Sequence, residues 1–278
     1  MNFLKSLLQK RLYAILLCLC FVLLLFFFAA LGAENDLAVS AAGAELSESS
    51  SAAQQEELPA PAEEAVLPEE DFSLHLGAEL MVEAILQYPE FPNGCEATSL
   101  AIVLQYLWFD VDKETIAYEY LENDPFTWED GYLYAPNPEI AYAGNPASSL
   151  GFYCFEKPVA NAANLFLADT QSTRRATSLY GASEEDLLNT LDKGFPVIVW
   201  KSIDNKPPYT SSNFSWYLRG TETVYIPYTN LHVLVLRGYT ETEFLLSDPL
   251  GREETIEREL FMELFTAFGG RAVYIGNA

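Results

Sequence analysis

Residues 87–100 read QYPEFPNGCEATSL and contain a turn followed by the start of a helical pattern. Asn93 and Gly94 are turn-forming residues. The apolar residues after them recur at helical spacing: Leu100, Val103, Leu104 and Leu107. A buried helix is therefore predicted to begin near Cys95. Unpaired backbone N–H groups at a helix start stabilise a thiolate, so Cys95 is a candidate nucleophile. The alternative is a small buried residue that packs at the helix start.

A thiol nucleophile needs a base and a group that orients the base. His232 begins the apolar run HVLVL, and its reference pKa of about 6.5 suits it to take a thiol proton. Asp248 follows an apolar run and precedes Pro249, so it is expected to lie exposed at a strand end and orient the imidazole. Asn230 is a second candidate for that role. The alternatives are a hydrogen-bonded core histidine and a turn-forming aspartate.

Five blocks of the sequence resemble those of one peptidase superfamily, and they occur in the same order. The first is residues 87–100, and the others are 142–146 (YAGNP), 194–200 (GFPVIVW), 231–235 (LHVLV) and 247–251 (SDPLG). Together they resemble the bacteriocin-processing (double-glycine leader) peptidase superfamily, and especially its stand-alone bacterial surface branch. The resemblance covers about residues 80–276. The combination of blocks is far more specific than any single one.

The resemblance implies a papain-like cysteine peptidase fold, with Cys95 as nucleophile, His232 as base and Asp248 as the orienting acid. Gln87 matches the glutamine that helps to form the oxyanion hole, where an amide N–H stabilises charge on a carbonyl oxygen. The alternative for Gln87 is a surface residue before a proline-rich turn. Cys95 and His232 are 232 − 95 = 137 residues apart, which lies in the papain-type range of roughly 130 to 150.

The remaining pattern favours an α+β domain with N-terminal helices packed on a mostly antiparallel sheet. Helices are predicted for 113–121, capped by Asp112, for the segment after the capping box of Ser183 and Asp186, which ends at Gly194, and for 259–267. Strands are predicted for these runs: 195–200, 232–236, 243–247 and 271–275. Residues 123–150 are rich in Pro, Gly, Asn and aromatic residues and are predicted to form a long loop.

Two positions depart from the family pattern. Leu231 stands before the histidine where most relatives have alanine, and a bulkier side chain there could alter access to the site. Cys154 stands at a usually apolar position and is predicted to be a core strand residue. In an oxidising exterior, a disulfide between Cys154 and Cys95 would silence the enzyme.

The composition excludes some classes of partner. A net charge of −25, from 40 acidic and 15 basic residues, argues against nucleic acid, because phosphate binding needs clustered Lys and Arg. We expect no cofactor and no metal, since the chain has two histidines and its two domain cysteines lack metal-ligand spacing. Asp124, Glu129 and Asp130 could hold calcium, but we interpret them as solvated loop charges.

The N-terminal quarter of the chain carries targeting and linker signals. Lys5, Lys10 and Arg11 precede an apolar run at 12–31, and the next basic residue is Lys113, an asymmetry that directs the rest of the chain outward. Residues 1–33 are predicted to be a signal peptide or membrane anchor. Residues 34–71, with eleven acidic and no aromatic residues, are predicted to be a disordered linker. Residues 72–278 are predicted to be the papain-like peptidase domain.

The function predicted from these features is an extracytoplasmic, thiol-dependent peptidase, anchored in the cell membrane or secreted after signal cleavage. Its partner would be a peptide or protein substrate, for example at the cell wall, and we expect a monomer. An acyltransferase or amidase of the same fold is an alternative. So is a non-catalytic cell-surface binding module that presents an aromatic platform: Trp128, Tyr132, Tyr134 and Tyr142.

Overall fold

The computed structural model describes residues 75, 77–211, 213–252 and 254–277. In this part of the chain, helices pack on an antiparallel sheet. The predicted anchor (1–33) and linker (34–71) lie outside the described residues. Within them, the helices are α1 (Cys95–Tyr106), α2 (Lys113–Thr115, continued by a π-helical turn at Ile116–Tyr120), α3 (Glu156–Asp169), α4 (Glu184–Asp192) and α5 (Arg258–Ala267). None of these is both long and apolar enough to cross a bilayer.

The strands fall into one main sheet and two smaller ones. In chain order they are β1 (Ala78–Glu79), β2 (Asn123–Asp124), β3 (Thr127–Glu129), β4 (Tyr132–Ala135), β5 (Tyr142–Ala143), β6 (Arg174–Leu179), β7 (Val197–Ser202), β8 (Trp216–Leu218), β9 (Val224–Tyr225), β10 (Leu231–Tyr239), β11 (Glu243–Ser247), β12 (Thr255–Glu257) and β13 (Ala272–Asn277). The main sheet is antiparallel, in the order β12-β11-β10-β7-β13-β6, with β1 also paired to β10.

Helices cover both faces of the main sheet. Successive side chains of a strand point to opposite faces, so one strand contributes to two cores. Val233 and Val235 of β10 pack into the core that α1 and α3 share. Leu234 and Leu236, which alternate with them, pack into the core that α4 and α5 share. The prediction of an α+β domain with helices on a mostly antiparallel sheet is confirmed.

Helix α1 packs in the main hydrophobic core and begins at the predicted position. Its first ten residues are all buried, so it is a central core helix with no solvent-facing stripe over that length. The turn before it requires glycine at Gly94, since a Cβ there would stand 2.5 Å from the Cβ of Phe91. The backbone N–H groups of the first turn have no intrahelical acceptor.

Local signals predict several other elements well. The capping box of α4 is present: Asp186 N–H donates to Ser183 Oγ (3.2 Å) and Ser183 N–H donates to Asp186 Oδ2 (2.8 Å). Asp112 caps α2 by accepting from Thr115 N–H at 2.7 Å. The strand predicted for 243–247 has those bounds, and the other predicted strands are present with ends shifted by one to three residues.

Two structural predictions are wrong, and one helix is missing from the predicted elements. Residues 123–150 are not a continuous loop, because they contain β2 to β5, and β3 and β4 join β8 and β9 in a four-stranded sheet. Helix α3 is absent from the predicted elements; Pro158 lies in its first turn, where a missing N–H is tolerated. Cys154 is buried as expected but lies just before α3 and not in a strand.

Candidate active site

His232 and Asp248 meet at the start of β10 and the end of β11. These strands are neighbours in the main sheet, with Val235 paired to Ser247. Nε2 of His232 lies 2.7 Å from Oδ1 of Asp248, and each residue is only 4% exposed. The expectation that Asp248 is exposed is therefore wrong, although its contact with the imidazole is the one the triad requires.

The surroundings of Asp248 favour its ionised form. Burial alone would raise the pKa of this carboxyl, but the hydrogen bond and charge of His232 outweigh it, and the pKa is lowered. The backbone N–H groups of Leu250 and Arg252 also donate to the carboxylate, at 2.9 and 3.2 Å. An ionised Asp248 accepts the Nε2 proton of His232. That tautomer leaves Nδ1 free to act as a base.

Cys95 lies at the first position of α1, and its thiol contacts a residue that is not among the candidates from the sequence. Its Sγ donates to Oε2 of Glu96 at 3.3 Å and makes no hydrogen bond to the His232 ring. Burial, followed by the Glu96 carboxyl, raises the pKa of Cys95 well above its usual range, while the backbone of neighbouring Val233 acts in the opposite direction. The expected stabilisation of a thiolate by the helix start is therefore outweighed in this conformation.

Glu96 is fully buried between the start of α1 and the segment before α3. Its Oε1 accepts the backbone N–H of Cys154 at 2.9 Å. Burial raises its pKa to about 7, and the hydrogen bonds from Cys154 and Cys95 partly oppose that rise. One sequence signal could have pointed to this residue: it is a carboxyl directly beside the nucleophile in an otherwise uncharged helix.

Gln87 is buried beside the turn that leads to Cys95, so the surface alternative for it is wrong. Its side-chain amide nitrogen donates to the carbonyls of Phe91 (3.0 Å) and Pro92 (3.1 Å), while its Oε1 has no hydrogen-bond partner among the described residues. Its backbone N–H donates to Pro249 O at 2.9 Å. Gln87 thus ties the turn before the nucleophile to the residue that follows Asp248, and its oxyanion role stays a prediction.

Lys113, at the start of α2, holds the segment that contains Gln87. Its buried ammonium donates to the carbonyls of Leu86 (2.6 Å) and Gln87 (3.3 Å) and to the Glu90 carboxylate (2.7 Å). The Glu90 pKa is lowered, first by the hydrogen bond from Lys113. One side chain therefore fixes three acceptors in the turn before the nucleophile.

Replacing Lys113 by methionine should lower the free energy of unfolding by about 2 kcal/mol, because buried carbonyls lose a charged donor. Urea unfolding followed by circular dichroism measures the change. Lys157 is a suitable control, since it is an exposed lysine in the first turn of α3. Lys157→Met should change stability by less than about 0.5 kcal/mol. Equal effects of the two substitutions would contradict the structural role of Lys113.

The other candidates from the sequence do not join this site. Asn230 is buried, but its side chain bonds to Asp204, Lys206, Pro207 and Tyr209, so it does not orient His232. Cys95 and Cys154 are both buried free thiols. Leu231 is half-buried and packs against the main core.

The acidic and aromatic residues of 123–142 have separate structural roles. Asp124 and Glu129 pair with Arg219, at 2.7 and 3.5 Å, and no group of three metal-ligating side chains is found among the described residues. Tyr142 is buried, with its hydroxyl between the carbonyls of Asn93 and Phe152, and so cannot belong to an exposed platform. Trp128 and Tyr132 are exposed.

The chain is similar to one family of peptidases and to several known proteins. Residues 79–273 match the model of the Peptidase_C39 like family. The chain is 29% identical over 188 residues to the uncharacterised protein YvpB of Bacillus subtilis strain 168, covering 67% of this chain and 70% of that protein. The crystal structure of a candidate C39-like peptidase from Bacillus anthracis is similar, with a TM-score of 0.62 and 27% identity over 73% of this chain and 98% of that one. The peptidase domain of Streptococcus ComA is similar with a TM-score of 0.40 and 13% identity, over 71% of this chain and 99% of that one.

Proposed function

The chain belongs to the Peptidase_C39 like family, and we propose that it hydrolyses peptide bonds through a Cys95–His232–Asp248 triad. The observation that carries the proposal is the buried 2.7 Å contact between His232 and Asp248. The backbone of the next residue, Val233, lies beside the Cys95 thiol. The proposed nucleophile, base and orienting carboxylate come from α1, β10 and the residue after β11.

The reaction begins when the sulfur turns from Glu96 towards His232 by rotation about the Cα–Cβ bond of Cys95. The thiol proton passes to Nδ1 of His232, and the thiolate attacks the peptide carbonyl carbon. Asp248 stabilises the imidazolium that forms. The Cys95 backbone N–H and the Gln87 amide are proposed to stabilise the oxyanion, which requires the amide to release one of its two carbonyl acceptors.

The second half of the reaction returns the enzyme to its starting state. Imidazolium His232 protonates the leaving amine as the C–N bond breaks, which leaves the acyl group on the sulfur as a thioester. His232 then takes a proton from water, and the resulting hydroxide displaces the Cys95 thiolate from the acyl carbon. Imidazolium His232 returns this proton to the thiolate, which restores the thiol and the neutral imidazole. The chemistry needs no cofactor.

Alkylation of Cys95 tests the assignment of the base and requires no peptide substrate. We expect His232→Ala to slow alkylation by chloroacetamide at pH 7 by about tenfold or more, because the imidazole no longer accepts the thiol proton. The modified Cys95 peptide is quantified by mass spectrometry, so the other cysteines do not contribute. His75→Ala is the matched control, since His75 pairs with Asp192 on α4. If wild type and His232→Ala react at the same slow rate, His232 does not activate the thiol.

We place the catalytic domain on the outer side of the cytoplasmic membrane, anchored through residues 12–31 or released after cleavage. The support is the basic N-terminus, the apolar run and the absence of Lys and Arg from 12 to 112. Protease treatment of intact spheroplasts that express the full chain tests this location. Resistance of the catalytic domain until the membrane is lysed would overturn it, and the N-terminal mass of the protein distinguishes an anchor from a cleaved signal.

A further inference from the structure

The buried Glu96 carboxyl contacts the resting thiol but takes no part in the proton transfers and bond changes proposed above. It is completely inaccessible to solvent and follows the nucleophile directly in the chain. One oxygen accepts the Cys154 backbone N–H at 2.9 Å, and the other accepts the Cys95 thiol at 3.3 Å. Within the described part of the chain, neither oxygen pairs with a Lys or an Arg. Burying an ionised carboxyl with only these two donors costs free energy. A functional role would explain why the chain keeps it there.

The other titratable groups near Glu96 stay neutral at ordinary pH. These groups are Cys95 on the same helix, Cys154 before α3 and Tyr142 on β5, and burial raises the pKa of each well above its usual range. Glu156 acts on Cys154 from the start of α3. The Glu96 pKa of about 7 makes it the group in this cluster that changes charge near neutrality. The protonation of the Cys95 thiol therefore depends on whether Glu96 is ionised.

We propose that Glu96 is a positioning residue that holds the resting Cys95 thiol protonated, with the thiol hydrogen bond directed to Glu96 instead of His232. The inference rests on the proposed function, in which Cys95 is the nucleophile. It adds a resting state in which the sulfur must break its hydrogen bond to Glu96 before it can contact His232. An anionic acceptor binds a thiol proton more strongly than a neutral one does. Ionised Glu96 thus opposes formation of the thiolate.

The raised pKa of Glu96 also links this residue to folding stability. Its folded pKa of about 7 lies above the ordinary value of 4.5, so the folded protein binds this proton more tightly than the unfolded chain does. The stabilising contribution is present at pH values below 4.5 and is lost as the pH rises through about 7. The substitution Glu96→Gln removes this contribution to the pH dependence.

The pH profile of Cys95 alkylation in the full-length Glu96→Gln variant tests the proposal. A glutamine oxygen can still accept the Cys154 N–H, while its amide N–H groups donate towards the sulfur and favour a thiolate. We expect the apparent pKa of the Cys95 alkylation rate to fall by at least about one unit, which makes the rate at pH 7 about tenfold faster. Chloroacetamide is the probe, and the Cys95 peptide is quantified by mass spectrometry.

Glu122→Gln is the matched control, because it removes the same charge from an exposed side chain. Its alkylation profile should superimpose on that of the wild type. If Glu96 were purely structural, its substitution would lower the stability of the protein without changing the pKa of Cys95. A Glu96→Gln profile that coincides with wild type would therefore overturn the proposal. That outcome would leave the proposed triad standing, because the triad depends on the separate His232→Ala comparison.

Infrared spectroscopy of the unsubstituted thiol provides a second test, in case the Glu96→Gln variant does not fold. The S–H stretching band of Cys95 is obtained by subtracting the spectrum of Cys95→Ala from that of the wild type. We expect a band that shifts to higher frequency as Glu96 is protonated below about pH 7, because the thiol loses its anionic acceptor. Absence of the band would indicate a thiolate and overturn the proposal. A band that does not change with pH would also overturn it.

Discussion

Replacing Cys95 by alanine should lower kcat/KM for peptide hydrolysis by about 10⁴-fold or more while the protein still folds. The loss is large because the thioester intermediate cannot form without the sulfur, and no other described thiol lies at a helix start. Cys95 fills little volume, so its loss leaves only a small cavity in the core. Cleavage of a mixed peptide library, followed by mass spectrometry, measures the activity on many candidate sequences at once. Circular dichroism and thermal melting check the fold.

Cys154→Ala is the matched control for this prediction. It removes the other described thiol, whose hydrogen bonds are made by its backbone: its N–H donates to Glu96, and its carbonyl accepts from Trp200 Nε1 at 3.0 Å. We expect activity within about threefold of wild type, with some loss of stability from the buried cavity. Full cleavage by Cys95→Ala would contradict the triad. Suppose that Cys95 reacts with chloroacetamide in a separate sample but the untreated, folded wild-type protein cleaves no peptide. That outcome would favour the binding-module alternative.

The same assay separates hydrolysis from acyl transfer, because both reactions pass through one acyl-enzyme. Hydrolysis in H₂¹⁸O puts one ¹⁸O atom into the new carboxyl group of the product. Acyl transfer to an added amine produces an amide that contains no ¹⁸O. We expect ¹⁸O-labelled carboxyl products to dominate. A majority of amide products at millimolar amine would identify the protein as an acyltransferase of this fold.

Replacing Arg271 by methionine should lower the free energy of unfolding by about 3 to 5 kcal/mol, the usual cost of leaving a buried charge without its partner. Arg271 bonds to the fully buried Glu156 at the start of α3 and to Glu139 at 2.6 Å. Its guanidinium also lies 3.8 Å from the ring centroid of Phe155. Removal of the arginine leaves Glu156 in the core with no counter-charge. Urea unfolding at pH 7 measures the effect.

Arg219 provides the matched control for the Arg271 prediction. It also bonds to two carboxylates, Asp124 and Glu129, but those ion pairs are far more exposed. Arg219→Met should therefore cost no more than about 1 kcal/mol. The double substitution of Arg271 and Glu156 by methionine should recover part of the loss, since no buried charge is then left unpaired. If Arg271→Met and Arg219→Met cost the same, burial is not what makes the Arg271 cluster important.

Several elements can be predicted from the sequence because their causes are local. The start of α1 follows from a turn before an apolar run, and the start of α4 follows from a capping box whose two residues are three positions apart. The strand 243–247 is predicted from the types of its own five residues. By contrast, β4 pairs with β8 through Tyr134 and Tyr217, which are far apart in the chain. Nothing in the sequence of 123–150 reveals that pairing, so the composition of this segment predicts a loop.

The sequence by itself indicated the candidates for the proposed triad, because a cysteine near a helix start, a strand histidine and an aspartate before proline lie in the blocks that resemble the superfamily. The tertiary structure decided the burial and the hydrogen-bond partners of these residues. It brought His232 within 2.7 Å of Asp248, buried a carboxylate expected at the surface, and directed the Cys95 thiol to Glu96. The reason is physical: the pKa and hydrogen-bond partner of a side chain depend on burial and on neighbours from distant parts of the chain. Those neighbours are fixed only when α1 packs against β10 and the segment before α3.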